Sequence, residues 1–243
     1  MPVSLSISHE IAAALRTDIL SGRYKQGDRI PSERDLASRF GASRGAVREG
    51  FSQLEQLGLI RILPGGARVQ AIEDASLSIL RPLLELEEVP DPMLVDQFLE
   101  TMGALASLTA KSAVVKATPT QLNQLQAMVE ELAKDTTDFE SMQPQWREFL
   151  LYMADIADNL VVRLISNDLR SQFLEHMMNL GIKPDIKKRT AAKTLSVMSA
   201  SLMARDSDMA AIAIQSHFDD IRVAAMDAIN TKLAVLTRKV GRH

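Results

Sequence analysis

The stretch from Pro31 to Gln70, PSERDLASRFGASRGAVREGFSQLEQLGLIRILPGGARVQ, leaves few folds open to this chain. It reads as a helix, a short turn, a second helix and two short strands around a glycine turn. Ser32 stands at an N-cap position with Asp35 three residues on, so the hydroxyl can take an orphan amide while the carboxylate answers back. Leu36, Ala37 and Phe40 give that helix one apolar face. Gly41-Ala42-Ser43 is turn-like, and Ser43 can cap a second helix whose buried face is Val47, Leu54 and Leu57, with Phe51 beside them. Gly58 ends that helix. Leu59 to Leu63 then has strand composition, Pro64-Gly65-Gly66 is a tight turn, and Ala67 to Gln70 returns as a second strand.

Arg44 and Arg48 are one helical turn apart and share a shoulder of the second helix away from most of its apolar face. Arg44 also lies in the first turn, where the helix dipole disfavours a cation. A residue that breaks a local rule without structural gain is a candidate for function. Nucleic acid is the chemistry indicated: the N-terminal end of a recognition helix enters the major groove, and arginine can make two hydrogen bonds to guanine.

Twenty residues of this stretch, from Pro31, Ser32, Glu33 and Arg34 through Gly41, Ser43, Arg44, Val47 and Arg48 to Gly58, Gly66 and Val69, follow one known pattern. The segment resembles the winged helix-turn-helix of the GntR family of bacterial transcription regulators. The resemblance implies that Arg34, Arg44 and Arg48 touch an operator and that the wing glycine approaches the minor groove. The expected DNA-binding set is Arg34, Ser43, Arg44, Gly45, Arg48, Gly65, Gly66 and Arg68. Two departures from the family pattern are Gly50, where alanine is usual, and Ala67-Arg68, where a small and an aromatic residue are usual; Arg68 is read as an added contact. Arg23, Lys25 and Arg29, in the loop before the motif, read either as phosphate contacts or as solvated charges.

With 243 residues, nearly half of them apolar, the chain has room for two domains. The expected organisation is a winged helix-turn-helix over residues 1–72, a linker over 73–90 and a helical domain over 91–243. Few aromatics beside much alanine, leucine and methionine favour helix in the second part. The fold class expected is mainly α, with a small β-wing followed by an antiparallel all-helical bundle of six or seven helices. Helices are placed at 8–21, capped by Ser8, and at about 91–116, 119–134, 139–157, 160–179, 186–204 and 207–237. The chain has no cysteine, hence no disulfide or thiolate metal site. No apolar run approaches the roughly 18 residues of a membrane span, so a cytoplasmic protein without membrane contact is expected. The net charge of −3 is uneven: residues 1–70 hold ten Lys and Arg against seven Asp and Glu, and the remainder is acidic. That asymmetry suits a DNA reader joined to something else.

A helical domain of this length after such a reader resembles the FadR subfamily, whose bundle encloses an effector pocket. Phe149, Asn159, and Asp206 with His217 carry that part of the resemblance. It implies a homodimer, a double-stranded palindromic operator, a small-molecule effector and, as the commoner mode, repression. Most members of that subfamily hold a metal through one aspartate and three histidines. Those positions fall here at Trp146, Leu150, Leu195 and His217, so neither metal nor cofactor is expected. The same four residues become candidates for an altered, largely apolar effector site. His217 reads either as a polar anchor in such a pocket or as a hydrogen-bonded bundle histidine, and Trp146 as ligand shelf or core. His176, after Glu175, reads as a replacement ligand or as surface. Met153, Met177, Met178, Met198 and Met203 read as an adaptable pocket or as core packing. The alternative function is a DNA-binding regulator whose helical domain only dimerises or binds another protein. An enzyme is not expected: GxSxG, HExxH and a phosphate-cradling loop are absent, and His9, His176, His217 and His243 are scattered.

Overall fold

The computed structural model describes residues 6–134, 139–179 and 186–240. They form two compact units, Met1–Glu88 and Val89–His243.

The first unit begins with α1 (Ile7–Leu20), whose Ile11, Leu15 and Ile19 recur every four residues and are buried. Its N-cap is Ser6 rather than Ser8, which lies inside the helix, 1% exposed, with the two hydroxyl oxygens 2.7 Å apart. Helix α2 (Glu33–Phe40) starts at Ser32, whose Oγ accepts from the Asp35 amide. The Asp35 carboxylate answers back to the cap residue, accepting from the Ser32 hydroxyl at 2.6 Å. That hydrogen bond, more than the neighbouring Arg34, holds the Asp35 carboxyl below its ordinary pKa. Gly41, left-handed at φ 61°, ends α2, and Ser43 caps α3 (Arg44–Gln56) by accepting from Ala46.

Val47, Gly50, Phe51 and Leu54 form the buried face of α3, with Leu57 only partly buried beyond them. Gly50 explains its own departure from alanine: an added Cβ would stand 3.1 Å from the Ser8 carbonyl and 3.3 Å from an Ile11 methyl, so α1 crosses there against bare backbone. Strands β1 (Ile60–Leu63) and β2 (Gly66–Val69) pair antiparallel, Ile60 opposite Val69 and Leu63 opposite Gly66, around the turn Pro64-Gly65. Ile60, Ala67 and Val69 close the core from above.

Two 3-10 turns, Ile72–Asp74 and Leu77–Ile79, and the short α4 (Leu80–Leu84) occupy the stretch assigned from sequence to a linker. Ile79 is 5% exposed and joins the core of the first unit, with Leu83 packed beside it. Gly58 has φ +75°, and a Cβ there would lie 2.9 Å from the Asp74 carbonyl and 3.0 Å from the Ala75 Cα. Left-handed backbone and a clash with main chain act together, so Gly58→Ala should cost roughly 2 kcal/mol or more. Urea denaturation of the variant checks this; a midpoint equal to wild type would mean that the Asp74 turn yields freely.

The second unit is a six-helix bundle over the described residues: α5 (Pro92–Lys116), α6 (Pro119–Lys134), α7 (Phe139–Ala157), α8 (Leu160–Asn179), α9 (Lys188–Ala204) and α10 (Ser207–Val240). Helix α5 packs along α10 and α7, and α6 lies against α9 and α7. The termini have local causes. Asp91 accepts from Met93 ahead of Pro92, Asn159 from Val162, and Asp206 from Met209, so each caps the helix that follows it. Two residues that carried the FadR resemblance, Asn159 and Asp206, are therefore helix caps. Gly103 brings α5 close to α10: a Cβ there would meet that of Phe218 at 2.9 Å. Arg222 of α10 fastens the same pair of helices by donating from Nε and Nη2 to the two carboxylate oxygens of Asp96.

Candidate nucleic-acid interface

Ser43, Arg44, Gly45 and Arg48 are all exposed along the first turns of α3, and Arg34 is exposed on α2. Arg44 has no carboxylate in its own first turn to offset the dipole. Gly45 has ordinary helical φ, and a Cβ there would meet only Ser43 Oγ at 3.6 Å. Neither backbone nor packing requires that glycine, although it costs about 1 kcal/mol against alanine in a helix. It leaves the ground between Arg44 and Arg48 bare. The hydroxyl of Ser43 is already engaged as the α3 cap.

Arg48 donates from Nε to both carboxylate oxygens of Glu33, at 2.9 and 2.8 Å, tying α3 to the first turn of α2. Its side chain is nevertheless 71% exposed, and the terminal amino groups lie outside that pair. Glu33 is the functional neighbour that sequence reading missed: the partners stand 15 residues apart, and only the helix crossing joins them. Arg34 pairs loosely with Asp35 at 3.6 Å and is 78% exposed. On the wing, Gly65 is exposed with φ +102° and open space around it, and Gly66 has φ +125°. Arg68 is exposed and donates from Nη1 to the Gly27 carbonyl at 3.0 Å.

In the helical unit the four positions that the subfamily resemblance aligns with metal ligands fall in one core. Trp146, Leu195 and His217 are buried, and Leu150 packs against the same cluster. Trp146 and His217 stack with ring centroids 4.0 Å apart and planes 16° from parallel, and Phe149 meets Trp146 edge-on. No hydrogen bond reaches the His217 ring among the described residues. Burial pushes its pKa down to about 4, so it is neutral at pH 7. One imidazole among an indole and two leucines is not a donor set for a divalent ion. Among the described residues no group of three or more His, Cys, Asp or Glu side chains is placed to hold one. Met153 and Met198 are core, whereas Met203 is 79% exposed, so it neither packs the core nor lines a pocket within it. The side chains of Glu175, His176, Met177 and Met178 lie outside the described residues. No described helix is long and apolar enough to cross a membrane.

Comparison with known proteins fits both units. Residues 7–69 match the bacterial regulatory proteins, gntR family, and residues 97–220 match the FCD domain. A putative L-lactate dehydrogenase operon regulatory protein of Escherichia coli is 26% identical, the match covering 98% of this chain and 94% of that one. The HTH-type transcriptional regulator LutR of Bacillus subtilis is 31% identical, over 65% of this chain and 72% of its own. Among solved structures, Lar, described as controlling expression of the Listeria monocytogenes agr system, shares the fold with a TM-score of 0.51 at 18% identity, over 91% of this chain and 97% of that one. An exposed arginine-bearing helix on a winged scaffold, followed by a helical domain of the FCD type, makes this chain a DNA-binding transcriptional regulator of the GntR family.

Proposed function

We propose that the chain binds a palindromic operator as a homodimer and acts as a cytoplasmic repressor of the FadR type. The observation that carries this reading is the grouping of Arg34, Arg44 and Arg48 around the exposed start of α3, bare at Gly45. Two identical helices reading one duplex call for two-fold symmetry in protein and site. Arg44→Ala should weaken binding to a duplex selected for affinity by about 1 to 3 kcal/mol, with a smaller loss on a scrambled duplex. Equal losses on both would make Arg44 a phosphate contact. Light scattering of the free protein tests the dimer.

The helical unit, on this reading, senses a small metabolite without the divalent ion usual in its subfamily. The side chains at Trp146, Leu150 and Leu195 favour a largely apolar effector, with the His217 imidazole and the Trp146 indole N–H as the polar groups among the four. A second reading, that this unit only dimerises or binds another protein, is favoured by the direct stacking of Trp146 on His217, which fills the space between them. Native mass spectrometry with elemental analysis separates the two. A metal-free dimer carrying an organic mass supports the apolar site, a bare dimer supports the second reading, and one metal per chain overturns the assignment of these four positions.

A further inference from the structure

The wing register puts Arg61 directly opposite Arg68, and Arg68 in turn bridges Arg29 in the chain before α2. Directly paired residues of an antiparallel ladder present their side chains to the same face. Arg29, Arg68 and Arg61 therefore stand in one row across the wing, all exposed, while Ile60, Ala67 and Val69 on the other face turn into the core. Like charges directly opposite one another destabilise a sheet. None of the ion pairs among the described residues relieves any of the three.

Gly66 lies on that same face, two residues before Arg68, and the Arg29 guanidinium rests over it: a Cβ at Gly66 would come within 2.9 Å of Arg29 Nε and 3.2 Å of Nη2. The missing side chain makes room for a cation that the row already has in surplus. Arg68 is held in place by its bond to Gly27. A hairpin of four residues per strand gains nothing in folding from three facing guanidiniums. The arrangement makes physical sense when an anion meets the row.

We propose that Arg29, Arg68 and Arg61 form a phosphate clamp that grips one strand of duplex DNA independently of base sequence. The proposal rests on the DNA-binding reading above and assigns the wing face a role separate from that of α3. Two strand separations span about 10 Å, enough to reach across neighbouring phosphates of one strand. Arg61, absent from the set expected on sequence, becomes one of its three contacts.

The test is a salt titration of DNA binding with the full chain, using a short mixed-sequence duplex and a duplex selected for affinity. Wild type, Arg61→Gln, the double variant Arg29→Gln with Arg61→Gln, and Arg61→Lys are compared. The slope of log K against log salt should fall by about 0.9 for each arginine removed, on both duplexes alike, and Arg61→Lys should restore it. The thermal midpoint of Arg61→Gln should equal or exceed that of wild type, because repulsion is relieved; this separates lost contact from lost folding. Slopes unchanged in the double variant, with wild type binding normally, would overturn the clamp. A loss confined to the selected duplex would overturn it too, by making Arg61 a base contact. Failure of the wild type to bind either duplex would instead overturn the DNA-binding reading on which the clamp rests.

Discussion

Trp146→Ala should lower the stability of the helical unit by about 3 to 5 kcal/mol, the range for removing a large buried aromatic from a core that relaxes only partly. Trp146 is 3% exposed, stacks on His217 and meets Phe149 edge-on with centroids 5.8 Å apart. The two ring contacts add to simple burial, each worth about 0.5 to 1.5 kcal/mol in comparable aromatic pairs. Trp146→Phe keeps a ring at the position and should recover much of the loss. It is the one tryptophan of the chain, so its fluorescence reports this site in wild type, while the variants must be followed by helical circular dichroism. A cost below about 1 kcal/mol in urea denaturation would mean that neighbouring side chains collapse into the vacated space, and the core would be softer than its packing implies.

The second large effect is a loss of stability in mild acid. Burial depresses the His217 pKa from 6.5 to about 4 in the folded chain. Between those values the unfolded chain binds a proton that the folded chain refuses, so stability rises with pH through this window. The contribution is fully present above about pH 6.5 and is lost as pH falls towards 4. A difference of about 2.5 units corresponds to roughly 3 kcal/mol. Two other groups titrate nearby with opposite signs: burial raises the Asp220 pKa, whereas hydrogen bonding to Arg222 lowers that of Asp96. Comparing wild type with His217→Gln at each pH cancels both. The stability advantage of wild type over the variant should shrink steadily on acidification, and a constant difference would show that the imidazole titrates normally. The two effects are coupled: Trp146→Ala admits water beside His217, so in that background the pH dependence should flatten.

The helix ends of the second unit were legible because their causes are local. Thr118 before Pro119, Asn159 before Leu160 and Asp206 before Ser207 each break one helix and cap or open the next within three residues. The start of α1 was harder, since serines at 4, 6 and 8 offer the same cap chemistry and only packing against Gly50 decides that Ser8 goes inside. The Arg48–Glu33 pair depends on how α2 crosses α3, which no periodicity states. The Arg61–Arg68 pairing was implicit in the two-residue turn, because Leu63 opposite Gly66 fixes every pair below it. Met203 carries the spacing of a core methionine yet faces outward, because the pattern of α9 alone does not say how wide its buried stripe is.

The seating of Ile79 and Leu83 on the first unit bears on how such regulators can be recombined. A reading head spliced onto a foreign sensor directly after β2 would leave behind the residues that plug one side of its own interior. A join made after Glu88 would carry plug and socket together. The portable piece of this chain is thus longer than the segment that meets DNA, and its last turn of helix travels with the head although it reads no base.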